Sequence, residues 1–260
     1  MTVQQALSAS GIDVREARLL LAEATGFSQP AVLAFQERIL NEEAEKRFLD
    51  FVSRRKRGEP IAYIVGHKEF FGLELAVNPA VLIPRPETEL LVELALQREP
   101  SSVLDLGSGS GAVALAIKRN HPDVKVVAVE ASAAALVVAK RNAAKHGLEV
   151  DFRHGRWFEP VAGERFDLIV ANPPYVAEGD PHLQDLAFEP REALLAGRDG
   201  LDAIRQIARE APRHLAEGGW VLIEHGQGQD AAVRQLLVGL EEVRTWPDLA
   251  GIPRVTGGRR

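Results

Sequence analysis

The sequence predicts an α/β protein, a mostly parallel, doubly wound sheet preceded by a small helical domain. Three observations carry this. Residues 1–58 hold helix signals and no strand pattern. From Ser101 onward, short apolar runs alternate with helical stretches, the texture of a parallel sheet covered on both faces. The first of these runs ends in a glycine turn that opens a helix.

The elements follow in order. Asp13 can cap a helix running to about Thr25, with Gly26 ending it. Asn41 can cap another, with Ala44, Phe48, Phe51 and Val52 on one face. Arg54-Arg55-Lys56-Arg57 is the one basic run. Its structural reading is a helix C-terminus, where cations complement the macrodipole, with Gly58 as the stop. Its functional reading is a contact with RNA or an acidic partner. The stretch EFFGLELAVNPAVLIPRP, residues 69–86, mixes short extended runs with Pro and Gly, as a hairpin or linker does. Pro86-Glu87-Thr88-Glu89 then opens a helix through about Gln97.

Strands are predicted at SVLDLG (102–107), VKVVAVE (124–130), VDFRHG (150–155), FDLIVANPP (166–174) and WVLIEHG (220–226). Helices are predicted at 111–120, at 132–147 and over the whole stretch DGLDAIRQIAREAPRHLAEGG, residues 199–219. The domain plan is a helical domain at 1–70, a hairpin linker at 71–86 and the α/β domain at 87–260. A chain of 260 residues suits one large domain with a small companion.

Composition excludes several classes. Hydrophobic residues make up 46% and charged residues 26%, so a packed core is within reach. No apolar run approaches the roughly 18 residues of a membrane span. The first 20 residues lack a basic region followed by an apolar block, so no signal peptide is expected. The absence of Cys removes thiolate nucleophiles and Cys-type zinc sites, and the seven His show no zinc-ligand spacing, so no metal is expected. These features fit a cytoplasmic home. A net charge of −6 argues against a dedicated duplex-DNA binder and against any stable nucleic-acid partner.

The candidate site begins at VLDLGSGSGAVALAI, which reads as strand, glycine turn and helix. Gly107, Gly109 and Ala112 satisfy the loose G-x-G-x-x-G/A spacing, and Gly111 closes the turn. Glycines let the backbone approach a ligand, and the helix N-terminus offers free N–H groups. Glu130 ends the next strand, 19 residues beyond Gly111, where a carboxylate can accept from ribose hydroxyls. The turn alone does not choose between a nicotinamide dinucleotide and S-adenosylmethionine.

The second candidate is Asn172-Pro173-Pro174-Tyr175, at the end of an apolar strand. An amide nitrogen is a poor nucleophile because its lone pair is delocalised into the carbonyl. Methylating it requires the nitrogen to be held with its lone pair along the methyl–sulfur line. The Asn172 side-chain oxygen and the Pro173 carbonyl can grip the two N–H bonds. The two prolines stiffen the turn, and Tyr175 offers a flat face to a planar group. This is catalysis by positioning, worth up to about 7–11 kcal/mol in model systems.

The motifs also carry a resemblance. Asp105 and the three glycines give D-x-G-x-G-x-G, which resembles the first motif of class I S-adenosylmethionine-dependent methyltransferases, a Rossmann-like fold. N-P-P-Y resembles the motif of methyltransferases acting on adenine, cytosine or glutamine amides. IPRPETELLVELAL (83–96), LDLGSGSGAVALAI (104–117), FEPREALLAGRDGLDAIRQI (188–207) and LAGIPRVTGGR (249–259) resemble the bacterial release factor glutamine methyltransferases over nearly the whole chain. The resemblance implies methyl transfer from S-adenosylmethionine, leaving S-adenosylhomocysteine. The acceptor it implies is the Gln of the Gly-Gly-Gln loop in class 1 peptide-chain release factors.

It further implies that Asp105, Gly107, Ser108, Gly109, Ser110 and Gly111 line the donor. Glu130 would hold its ribose, where many relatives carry Asp, and Trp157 would lie near the adenine. Asn172 would touch the donor as well, and Asn172 to Tyr175 would hold the glutamine. The helical domain would recognise the substrate protein. Arg85 and Glu87 would order the rim of the site, and Glu224 and His225 are read as structural. Three alternatives remain: a glutamine in a ribosomal protein or the exocyclic amine of adenine as acceptor, a cofactor-binding module without turnover, or a nicotinamide-dependent reductase.

Overall fold

The computed structural model describes residues 1–260, leaving aside the side chain of His182. It divides into two compact units, Met1–His67 and Lys68–Arg260.

The first unit is helical. Helix α1 (Val3–Ala9) opens with a capping box, in which the Gln5 N–H donates to the Thr2 hydroxyl and the Gln5 side chain accepts from the Thr2 N–H. Helix α2 (Val14–Thr25) is capped by Asp13 and stopped by the left-handed Gly26. Helix α3 (Gln29–Ala34) follows a Ser28 cap. Helix α4 (Glu42–Lys56) starts at the Asn41 cap with three glutamates in its first turn and ends on three basic residues, so both ends complement the helix dipole. Helix α5 (Ile61–Val65) closes the unit. Leu20, Leu21, Val32, Phe48 and Ile64 form its core.

The basic run is largely consumed inside this unit. Arg54 pairs with Glu59 and donates to the carbonyls of Tyr63 and Ile64, the C-terminal end of α5. Arg55 pairs bidentately with Glu16 at 2.8 Å through both nitrogens. Arg57 donates to the Ser53 hydroxyl at 2.9 Å, so three of the four basic side chains are engaged within the unit, as the structural reading has it.

The second unit opens with a hairpin, β1 (His67–Phe70) and β2 (Leu73–Ala76). A short 3-10 turn at Pro86–Thr88 leads into α6 (Glu89–Leu96). The alternating segment then gives β3 (Ser102–Leu106), α7 (Ala112–Asn120), β4 (Lys125–Glu130), α8 (Ala133–His146), β5 (Asp151–His154), β6 (Phe166–Ala171), α9 (Asp202–His214), β7 (Leu215–Glu224), α10 (Asp230–Leu236), β8 (Glu241–Pro247) and β9 (Pro253–Arg259). Among the described residues the sheet has seven strands in the order β5-β4-β3-β6-β7-β9-β8. The first five run parallel, and β9 is antiparallel to both its neighbours.

Strand alternation builds two cores. Val103, Val126, Ala128, Leu168, Val170 and Leu222 face α6 and α7. Leu104, Val127, Val129, Ile169, Val221 and Ile223 face α9 and α10. Successive residues point to opposite faces and both faces are buried, which is why these strands read as unbroken apolar runs.

Two expectations change. The helix expected over 199–219 covers only Asp202–His214, and β7 begins at Leu215, five residues before the apolar run. A Cβ at Gly219 would sit 3.0 Å from the Asp167 and Ala216 carbonyls, so glycine lets this irregular start lie against β6. The chain beyond residue 226, in which the pattern predicts no element, supplies α10 and the antiparallel pair β8–β9.

Candidate active site

The C-terminal ends of β3, β4 and β6 meet at a cavity of about 660 Å³, a size suited to a nucleoside-bearing ligand. Open α/β sheets put ligands at this end of the strands because loops diverge there. Asp105, Gly107, Ser108, Gly109, Ser110, Glu130, Trp157, Asn172 and Pro174 line it.

The glycine turn is built around backbone bonds. The N–H groups of Gly107 and Ser108 donate to the Val129 carbonyl at 2.9 and 3.1 Å, tying the turn to β4. Gly107, Gly109 and Gly111 all have positive φ, a conformation that L side chains rarely adopt. A Cβ at Gly109 would meet nothing, so this face of the turn is open. Gly111 differs: its Cβ would press on Leu115, Ala139 and Phe152, so it faces the packed interior and does not line the cavity.

Glu130 accepts from the Gly109 N–H with one carboxylate oxygen and from the Ser132 N–H with the other, both at 2.8 Å. Asp105 is buried and accepts from the Ala114 N–H at 3.2 Å, within the first turn of α7. Burial first, and Glu130 second, push its carboxyl up to about 7 against that bond. Trp157 has φ +49, and its Nε1 donates to Gln206 at 3.0 Å, which fixes the ring beside Gly107.

Asn172 follows β6. Its Nδ2 donates to the Thr88 hydroxyl at 3.0 Å, while Oδ1 is buried and, among the described residues, without a partner. The Ser108 hydroxyl is also buried and partnerless. Two orphaned acceptors on one cavity are what a polar ligand would satisfy, so these residues fit a nucleoside-bearing methyl donor together with an amide acceptor.

Pro173 and Tyr175 stand just behind the cavity wall. The Tyr175 hydroxyl donates to Glu224 over 3.5 Å, and its carbonyl accepts from Gln229 Nε2 at 3.1 Å. Burial and the neighbouring Glu224 raise the Tyr175 phenol, so it stays protonated. Val176 N–H donates to the Leu194 carbonyl at 2.8 Å, pinning the strand exit to the segment 190–200. Arg85 pairs with Glu189, which also accepts from the Ile83 N–H at 3.0 Å. His225 is fully buried, bonded to Thr256 at 2.8 Å, and kept neutral by desolvation. Thr88, Gln206, Glu189 and Gln229 were not singled out from sequence. Thr88 lies beside Glu87, and Glu189 and Gln206 lie in the stretch 188–207, so these three carry a sequence signal; Gln229 carries none.

Residues 2–66 match the PrmC N-terminal domain and residues 86–189 the methyltransferase small domain. The curated release factor glutamine methyltransferase of Pseudomonas aeruginosa is 49% identical over 94% of this chain and 91% of its own. That of Escherichia coli is 43% identical over 97% and 94%, and that of Xylella fastidiosa 54% identical over 83% and 82%. The chain belongs to the release factor glutamine methyltransferases. The enzyme's fold is also that of a Pyrococcus furiosus methyltransferase, with a TM-score of 0.57 at 19% identity over 80% of this chain and 96% of that one. A Thermus thermophilus 16S rRNA methyltransferase solved with AdoMet and guanosine gives 0.56 at 22% identity over 75% and 49%. Among the described residues of the methyltransferase, no helix is long and apolar enough to cross a membrane, and no group of His, Asp and Glu could hold a metal.

Proposed function

We propose that the enzyme transfers a methyl group from S-adenosylmethionine to the side-chain amide nitrogen of the Gln in the Gly-Gly-Gln loop of class 1 peptide-chain release factors. The observation that carries this reading is the Asn172 Oδ1 atom, buried and without a partner on the cavity that also holds the glycine turn and Glu130. A buried acceptor left unmade is costly, about 1–3 kcal/mol, unless a ligand supplies the donor.

S-adenosylmethionine, when bound, supplies a methyl group activated by a positive sulfur, with S-adenosylhomocysteine as the expected product. Glu130 accepts from the ribose hydroxyls while it holds Gly109 and Ser132 in place. Asp105, Ser108, Gly109 and Ser110 form the polar floor, with Gly107 against the Trp157 ring and that ring beside the adenine. Gly111 acts from behind by letting the turn close. Asn172 Oδ1 and the Pro173 carbonyl accept the two N–H bonds of the target amide. Pro174 stiffens the pair, and the Tyr175 ring backs it. No strong base is required, because the proton leaves after transfer.

The helical stretch at 1–70 is assigned to gripping the release factor away from its Gln loop, with 71–86 as the link to a methyltransferase domain at 87–260. A cytoplasmic setting fits a chain without Cys and a substrate that acts at the ribosome.

The test is labelling with methyl-labelled donor of a bacterial release factor and of its Gln→Ala loop variant, followed by mass spectrometry of the loop peptide. Label confined to the Gln peptide supports the reading. Equal labelling of both proteins overturns it.

A further inference from the structure

Three stretches of the cavity wall, 83–88, 172–176 and 189–194, are joined end to end. Each adds side chains to the lining: Arg85 and Thr88 from the first, Asn172 and Pro174 from the second, Pro190 and Ala193 from the third. Asn172 Nδ2 donates to the Thr88 hydroxyl at 3.0 Å, which joins the second stretch to the first. The Val176 N–H donates to the Leu194 carbonyl at 2.8 Å, which joins the second to the third. The remaining joint is Glu189. One of its carboxylate oxygens accepts from the Ile83 N–H at 3.0 Å, and the other pairs with the Arg85 guanidinium. With that joint made, the three stretches form a closed ring that includes Asn172.

The first stretch is built to transmit a constraint. Pro84 and Pro86 fix φ at two of its six positions. The Thr88 N–H donates to the Arg85 carbonyl at 3.1 Å, closing the 3-10 turn that carries the Thr88 hydroxyl. A displacement at Ile83 or Arg85 therefore moves Thr88, and with it the acceptor that holds Asn172. The Glu189 side chain is 3% exposed, so water does not compete for its two donors.

We propose that Glu189 is a positioning residue for methyl transfer: by clasping Ile83 and Arg85 it closes the ring and holds Thr88 where Asn172 Oδ1 faces the acceptor amide. This rests on the reading above in which Asn172 grips that amide. The clasp explains the residue type. Two donors must be met by two acceptors, and a carboxylate supplies both, one of them to a charged partner. A glutamine of the same shape offers one oxygen, and its NH2 group would face the second donor.

The experiment measures kcat on the release factor, and separately donor affinity by calorimetry, for the full chain carrying Glu189→Gln, Thr88→Val or both. Glu189→Gln should lower kcat about tenfold or more, since a displacement of about 1 Å can cost a hundredfold. Donor affinity should stay within about twofold of the parent, because the glycine turn and Glu130 are held by bonds outside the ring. Thr88→Val removes the next joint of the same ring. The double variant should therefore fall no more than about twofold below the poorer single variant. Glu189→Asp keeps both acceptor oxygens, so its kcat should lie between Glu189→Gln and the parent. If Glu189→Gln does not fold, Glu189→Asp takes its place in the comparison, with the same pattern at a smaller loss.

Parental kcat in Glu189→Gln overturns the clasp. Losses that multiply in the double variant, or donor affinity falling in parallel with kcat, overturn it as well, since either marks a general loosening of the fold. If Asn172→Ala is inactive while Glu189→Gln is fully active, only the clasp fails. If Asn172→Ala is itself fully active, the amide-gripping reading fails with it.

Discussion

Glu130 and Gly109 are joined by a 2.8 Å hydrogen bond from the glycine N–H to one carboxylate oxygen. The carboxylate at the end of β4 thus shapes the glycine turn before any ligand arrives. Its second oxygen takes the Ser132 N–H at the start of α8. Ribose hydroxyls would use the lone pairs that remain. Glu130→Ala removes the ribose acceptors and the prop under the turn together. Donor affinity should fall by more than one charge-assisted bond explains, that is, by over about 1.5–3 kcal/mol. Calorimetry with S-adenosylmethionine checks this, and an unchanged Kd contradicts both roles.

Asn172→Ala separates binding from chemistry. The side chain is assigned to the acceptor amide, so kcat should drop by about a hundredfold or more from lost alignment. Donor affinity should change far less. Single-turnover rates set beside donor titrations read the two effects independently.

Gly200 supports the same loop from outside. It has φ +72, and a Cβ there would lie 2.2 Å from the Tyr175 carbonyl oxygen and 2.8 Å from Gln229 Nε2. Gly200→Ala should displace the loop and cost about 1–3 kcal/mol in backbone strain alone. The expected result is a lower Tm together with reduced kcat. A variant with parental Tm and turnover would show that the loop tolerates the shift.

Asp105 makes stability depend on pH. Its carboxyl is raised by burial from 3.8 to about 7 in the folded chain. Between those values the unfolded chain ionises while the folded chain keeps its proton. Folding stability from this group is therefore greatest below about 4, falls as pH rises, and levels off above about 7. Glu224, raised to about 7, acts with the same sign. Asp105→Asn should flatten part of the slope in urea unfolding between pH 5 and 8. A slope identical to the parent would place the Asp105 proton elsewhere.

Removing residues 1–58 tests the assignment of the helical stretch. KM for the release factor should rise while donor affinity holds, and an unaltered KM argues against that assignment.

Much of this protein follows from sequence because its signals are local. Asp13 and Asn41 cap helices through their own backbone neighbours, and Gly26 stops one through its own φ. The parallel strands are buried on both faces, so their apolar runs need no partner to be seen. The glycine turn, Glu130 and the Asn-Pro-Pro-Tyr corner are likewise short stretches whose residue types state their chemistry. Tertiary structure decided what depends on distant neighbours. Strands β8 and β9 are half-exposed or carry Pro and paired glycines, features that locally oppose a strand. Gly257 is needed because a Cβ there would meet the Val221 carbonyl at 2.5 Å, on a strand 36 residues earlier in the chain. Asn172 Nδ2 finds its acceptor in the Thr88 hydroxyl, 84 residues away. A hydrogen-bond direction is a property of a network, and only folding brings its members together.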